Sequence, residues 1–377
     1  MLRTFQYRLR PTKSQRTTMR KILEECRWLW NHLLEQRKTS WEEEHKGLTF
    51  FEQAISLPKL KHERPSLKTV YAQSLQQVAV RIDLAFKAFF RRCKASEKPG
   101  YPRFRGKGRY DSFTYPQMPS GAVIRNGYLA LSKVGLVKIV LHRPLEGMPK
   151  TCTIRRTATG KWFATIVCEV EAELLPISDE QVGIDVGLTA FATLSTGEKI
   201  ENPRFFRKGE KALARAQRRM AKEAKGTPQR HKCRKVVSRI HERVTNKRKD
   251  FAHQQSRKIV NRFGVICVED INASRMVHNH CLAKSILDAA WSDFLRMITY
   301  KAAWAGRRFV AINPAYTTQD CCECGHRQIM PLSERVYRCP CCGSVKDRDH
   351  NAALNILTLG LQSLGLAAPK GTCLQGE

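Results

Sequence analysis

Cys321-Cys322-Glu323-Cys324-Gly325 and Cys339-Pro340-Cys341-Cys342-Gly343-Ser344-Val345-Lys346-Asp347-Arg348-Asp349-His350-Asn351 place two CxxC knuckles, fourteen residues apart, directly ahead of an acidic helix start. Paired CxxC at this separation is a metal-site signal, just below the usual ribbon window. Cys321, Cys324, Cys339 and Cys342 have the ligand phase for tetrahedral Zn²⁺, and the glycines that follow permit tight knuckle turns. Cys322 and Cys341 are offset and read as bystanders. His326 could replace one cysteine, but a closed four-thiolate site is simpler. Such a zinc is structural, so the expected task of the knuckles is to hold Asp349 in place.

Working outward, two further acids stand in apolar surroundings: Asp185 in Val182-Gly183-Ile184-Asp185-Val186-Gly187-Leu188, and Glu269 closing Val265-Ile266-Cys267-Val268-Glu269. An ionised carboxylate inside such a strand is costly unless paired or coordinating a metal. Either acid alone reads equally well as a salt-bridged core residue, and Asp349 alone reads as a helix cap. As a set they point to carboxylates converging on one sheet edge. Without a Ser/His or Cys/His nucleophilic set nearby, that suits hard cations such as Mg²⁺. Two such ions, about 3.5–4 Å apart, would activate water and stabilise the leaving oxygen of a phosphodiester.

The charge supplies a matching substrate class. In 377 residues, 67 Lys/Arg stand against 34 Asp/Glu, a formal net charge of +33. That field predicts polyanion partners and salt-sensitive binding. The basic residues are spread along the chain and no apolar run is long enough to span a bilayer, so no membrane partner is expected. Met1–Arg10 has no apolar signal core. Six of the fourteen cysteines lie between Cys321 and Cys342, and the others sit in scattered apolar contexts. A reducing cytosol is expected.

The remaining elements follow from periodicity and turn signals. Residues 3–10 alternate as a half-buried strand, residues 13–37 form an amphipathic helix opened by Thr12 and Gln15, and a second helix covers about 68–94. The segment Lys98–Tyr110 interleaves Tyr101, Arg103, Phe104 and Arg105 with glycines, so rings can stack on bases while cations meet phosphates. It reads also as an ordinary surface loop. Residues 112–172 form short antiparallel strands. Three more strands span about 182–201, and a helical pair with a strongly basic face fills 204–262, which holds 21 Lys/Arg and 4 Asp/Glu. A strand at 264–270, a helix at 284–305, a strand at 308–312 and a helix from about His350 complete the pattern.

The segments around Asp185 and Glu269, together with Asp347-Arg-Asp349-x-Asn351-Ala-Ala-x-Asn355-Ile356, resemble the three parts of a RuvC-like, RNase H-fold nuclease. With the cysteine knuckles interposed, the chain resembles the TnpB (OrfB) family of bacterial insertion sequences, relatives of type V CRISPR effector nucleases. Phe86-Lys-Ala-Phe89-Phe90, Tyr101-Pro-Arg-Phe104 and Trp291–Gly306 carry the likeness over nearly the whole chain. The resemblance implies an α/β plus β fold: an antiparallel β-barrel (1–11 and 95–175) with an inserted helical bundle (12–94), then an RNase H-like mixed sheet (180–313 and 346–362) with an inserted zinc ribbon (314–345) and a flexible tail (363–377).

It implies an RNA-guided DNA endonuclease that is favoured to act as a monomer, with guide RNA from the transposon end and double-stranded target DNA as partners. The catalytic Mg²⁺ ligands would be Asp185, Glu269 and Asp349, with Asp347 second for the last place. Candidate nucleic-acid contacts are Lys68, Gln73, Gln77, Tyr101, Arg103, Phe104, Arg105 and Thr114, of which Gln73, Gln77 and Thr114 are candidate readers of a target-adjacent motif. An RNA-independent transposase or resolvase, and a binding-only DNA regulator, are the alternatives.

Overall fold

A computed structural model describes residues 1–331 and 333–366; of the tail expected at 363–377, residues 367–377 lie outside them. The chain divides into two compact units, Met1–Glu171 and the part from Ala172 onward.

The first unit opens with β1 (Leu2–Arg10), whose Phe5, Tyr7 and Leu9 face the core in strict alternation. Three helices follow: α1 (Lys13–Glu44), α2 (Phe50–Glu63) and α3 (Ala72–Lys94). A reciprocal capping box between Thr12 and Gln15 starts α1. The helix runs past residue 37, the end expected from sequence, through the exposed Glu42–Glu44. Helix α2 was hidden by Pro58 in its interior, yet its own capping box, Thr49 with Glu52, opens it and Leu57 and Leu60 bury its inner face. Lys68 lies in the 3-10 turn Pro65–Thr69 rather than on a helix.

Six strands complete this unit: β2 (Ser112–Tyr115), β3 (Ala122–Arg125), β4 (Tyr128–Leu131), β5 (Gly135–Val140), β6 (Met148–Arg156) and β7 (Trp162–Glu169). They form one antiparallel sheet in the order β2-β6-β7-β1-β5-β4-β3, with β1 central against β7 and β5. No ladder joins β2 to β3 among the described residues, so the expected barrel is a nearly closed sheet.

The second unit is built on β8 (Gln181–Val186), β9 (Ala190–Leu194) and β10 (Lys199–Glu201), helices α4 (Phe205–Lys222) and α5 (Pro228–Arg262), and then β11 (Val265–Glu269). After these come α6 (Ala273–Met276), α7 (His280–Ala289), α8 (Trp291–Ala305) and β12 (Arg308–Ile312). The hairpin β13 (Val336–Arg338) and β14 (Val345–Asp347) and the helix α9 (Arg348–Ser363) end the described elements. The single helix expected at 284–305 breaks at Ala290, which sits at φ 56°. There Asp288 turns away to accept the amides of Phe206 and Arg207 and the Arg248 guanidinium, capping α4.

The sheet order is β10-β9-β8-β11-β12, with β8, β11 and β12 parallel and β9 and β10 antiparallel. Alternation assigns its two faces. Val182, Ile184, Ile266 and Val268 enter one core with Phe294, Ile298 and the inner side of α5, while Val265 and Cys267 pack with Ile356, Leu357 and Leu361 of α9. By the same period of two, Asp185 and Glu269 fall on the α9 face. None of the described helices is long and apolar enough to cross a membrane.

Candidate active site

Asp185 and Glu269 each lie one residue beyond the paired positions Ile184 and Val268 of two adjacent parallel strands. They therefore end side by side at the carboxyl end of the sheet, on the face covered by α9. Asp349 is the second residue of α9, and the helix crosses both strands to bring it there. Asp185 is only 8% exposed, and Asp349 keeps 14% of its side chain accessible.

The electrostatics reflect this crowding. Burial first, then the charges of Glu269 and Asp349, raise the Asp185 carboxyl to about 8, with Arg348 opposing. Burial raises Glu269 as well, and the Thr317 hydroxyl works against that by donating to Oε1. The carboxylates are not drawn into a tight knot. Among the described residues, the four cysteines are the group of three or more metal-ligating side chains whose ligand atoms converge, all within 4.8 Å of one another. Oxygen donors on an otherwise apolar sheet edge, holding excess negative charge, are the donor set that a hard divalent cation takes.

Asp347 has a different task. It is the N-cap of α9: Oδ1 accepts the amides of Asp349 and His350 at 3.1 Å each, and Oδ2 meets Lys199 Nζ at 2.7 Å. Burial would raise it, but Lys199 and the two amides outweigh that and hold its carboxyl below the usual range. Asp349 Oδ1 faces the guanidinium groups of Arg348 at 3.4 Å and Arg335 at 3.8 Å.

The cysteine insert is tied to the same helix. Cys321 Sγ lies 3.7 Å from Cys342 Sγ and Cys324 Sγ lies 3.5 Å from Cys339 Sγ, while Cys322, Cys341 and the exposed His326 stand outside the quartet. The four thiols pull on one another: burial pushes Cys321 up to about 12, whereas the amides of Cys342 and Cys341 and the neighbouring Cys324 bring Cys339 down to about 7 against its own burial. The buried Asn351 accepts the Cys322 amide at 3.0 Å and donates to the Asp320 carbonyl at 2.7 Å. One turn on, Asn355 donates to the same carbonyl and to that of Thr317. These two asparagines and Thr317 were not singled out as functional from sequence; the spacing of four, which puts Asn351 and Asn355 on one helix face, was the visible signal for the asparagines alone.

In the first unit, Thr114 Oγ1 accepts from Arg81 at 2.8 Å and lies 2.9 Å from Thr153, while Gln73 donates to Gln117. Gln77 is half-buried on α3, and Lys68 is exposed. Arg81 and Gln117 thus join a polar cluster that the sequence indicated only through Gln73 and Thr114. The 98–110 segment is pinned by its main chain: the Arg103 carbonyl accepts the Trp30 indole, and the Arg105 amide donates to Asn31. Tyr101 lies edge-on to Phe86 and Phe89, and Arg105 covers the Trp30 ring, whereas Phe104 remains 53% exposed.

The chain is similar to known proteins along most of its length. Residues 165–280 match a family described as "Probable transposase" (OrfB, IS605), residues 291–356 match "Cas12f1-like, TNB domain", and residues 1–46 match "Helix-turn-helix domain". Those first 46 residues hold one strand and one helix here, β1 and α1. A Streptomyces pristinaespiralis protein named as an RNA-guided DNA endonuclease is 36% identical over 95% of this chain and 89% of its own length. InsQ of Escherichia coli K12, named likewise, is 32% identical over 95% and 92%. In fold, a Cas12f1 chain solved by cryo-EM with sgRNA and target DNA superposes at TM-score 0.59 and 15% identity, over 91% of this chain and 82% of that one. With relatives above 30% identity matched along nearly all of both lengths, the chain belongs to the TnpB (OrfB, IS605) family.

Proposed function

We propose that this protein is an RNA-guided DNA endonuclease that hydrolyses target DNA at a RuvC-like site formed by Asp185, Glu269 and Asp349. The observation that carries the reading is the buried Asp185 on the α9 face of the sheet, pushed to about 8 by burial and by the other two acids. The strand order β10-β9-β8-β11-β12, with β8 and β11 adjacent and parallel, supports an RNase H-like reading of the sheet.

Divalent cations, Mg²⁺ by their oxygen donors, would neutralise the cluster, activate water and stabilise the leaving 3′-oxygen. The chain's own part is positional. Strands β8 and β11 fix two carboxylates in parallel register, α9 delivers the third, and Asp347 is reserved for capping. Zn²⁺ on Cys321, Cys324, Cys339 and Cys342 would hold the insert against α9 through Asn351 and Asn355 and take no part in the chemistry. The guide RNA, from the transposon end, and the target DNA are drawn by the net charge of +33. Lys68, Gln73, Gln77 and Thr114, with Tyr101, Arg103, Phe104 and Arg105, are assigned to nucleic-acid contact in the first unit.

The test is purification, sequencing of co-purified RNA, and challenge with Mg²⁺ and a plasmid matched to that RNA. A discrete RNA that dictates the cut site is expected, and Asp185→Ala should abolish cutting while RNA stays bound. Cutting indifferent to the RNA would favour an RNA-independent transposase or resolvase, and binding without cutting would favour a regulator.

A further inference from the structure

Glu269 closes a strand, so its side chain could swing toward solvent. Thr317, 2% exposed, donates its hydroxyl to Glu269 Oε1 across 48 residues of sequence. The hydroxyl also lies 3.2 Å from the Pro314 carbonyl, but it has one proton and the carboxylate is the stronger acceptor.

Thr317 is itself held by α9 and by the turn that precedes it. Its carbonyl accepts Asn355 Nδ2 at 2.9 Å. That amide shares the Asp320 carbonyl with Asn351, whose Oδ1 takes the Cys322 amide within the first knuckle. Immediately before it, Tyr316 sits at φ 67°, a left-handed conformation that bulky side chains seldom adopt. Its carbonyl accepts the amides of Gln319 and Asp320, and Arg327 lies 3.7 Å over its ring. Strained backbone of this kind persists where the surroundings over-determine it, typically beside functional groups.

We infer that Thr317 is a positioning residue: its hydroxyl fixes the Glu269 carboxylate for metal binding and links that carboxylate, through Asn355, Asp320 and Asn351, to the cysteine insert. The inference rests on Glu269 being a metal ligand. Groups that orient a ligand in this way typically change metal affinity or activity about 10–100-fold when removed.

The experiment compares full-length protein with its RNA bound as wild type, Thr317→Val, Thr317→Ser and Asp185→Ala. Mn²⁺ affinity is read by electron paramagnetic resonance, alongside cleavage, zinc content and melting temperature. Thr317→Val, which keeps the shape and removes the donor, should lose about 10–100-fold in Mn²⁺ affinity and cleavage with zinc retained, and Thr317→Ser should restore both. Wild-type Mn²⁺ affinity in Thr317→Val overturns the inference, as does a Thr317→Ser protein impaired equally with Thr317→Val. If Asp185→Ala itself leaves Mn²⁺ affinity and cleavage intact, it is the metal-site reading that fails. Loss in Asp185→Ala with none in Thr317→Val removes Thr317 alone.

Discussion

Gly183 faces the Ala353 carbonyl of α9 with no room for a side chain: a Cβ there would lie 2.1 Å from that oxygen and 2.6 Å from the Leu357 amide. Both are helix backbone, so neither can rotate away. The bare strand lets α9 lie directly on β8, two residues before Asp185. Gly183→Ala should therefore push the helix and Asp349 outward. Thermal unfolding should show a loss of about 1–3 kcal/mol from overpacking, and cleavage should fall while RNA binding is kept. Gly360→Ala, whose Cβ would meet the Cys267 thiol at 2.3 Å, should act through the same packing layer.

The two acids that flank Arg348 should separate cleanly. Asn caps helices about as well as Asp, and the Asp347–Lys199 pair is part-exposed, so its loss costs about 0–1 kcal/mol. Asp347→Asn should keep cleavage and nearly all stability; Asp349→Asn should lose cleavage. Plasmid-cutting rates and melting temperatures of the two variants decide it.

Asp185 predicts a pH dependence with a definite sign. Its folded carboxyl stands near 8 against an ordinary value of 3.8. Between those values the folded chain holds a proton that the unfolded chain has lost, so metal-free stability falls as pH rises through that window. Melting scans from about pH 5 to about pH 8 should show this decline in wild type and a flatter profile in Asp185→Asn. Mg²⁺ should raise the wild-type melting temperature more at the alkaline end, where the competing proton leaves readily.

The cysteines should divide four to two. Cys324→Ser should release zinc and weaken cleavage, whereas Cys322→Ser and Cys341→Ser should retain it, as read by a chelator-based zinc assay. Asn351→Ala should give the converse phenotype: zinc kept, cleavage weakened. Removing that side chain strands the Cys322 amide and part of the Asp320 carbonyl's bonding, at about 1–3 kcal/mol for each buried group left unmet.

What the sequence could reveal depended on whether the signal was local. Val265–Val268 is apolar on both faces, so a central strand ending in Glu269 was readable, and so was the Cys quartet from its spacing. Helix α2 was not, because Pro58 reads as a breaker while the Thr49/Glu52 box and tertiary packing of Leu57 and Leu60 override it. The break at Ala290 was invisible because its cause, Asp288 capping α4, lies about eighty residues back along the chain. Thr317 had no signal at all: a single hydroxyl in a loop acquires meaning only when β11 and α9 are brought against it. The barrel was legible as a nearly closed antiparallel sheet and no further, since alternation shows that strands pair but not whether the first and last strands of the sheet meet.

The packing of α9 across β8 and β11 also sets an order of events during synthesis. Strands carrying Asp185 and Glu269 emerge from the ribosome well before Asp349, which arrives on the last described helix. Until then the Cys267 and Val265 side of the sheet has no cover, and the acid trio is incomplete. On the proposed reading, a chain cut short ahead of Arg348 would keep its basic residues but lack Asp349, so it should hold nucleic acid without cutting it.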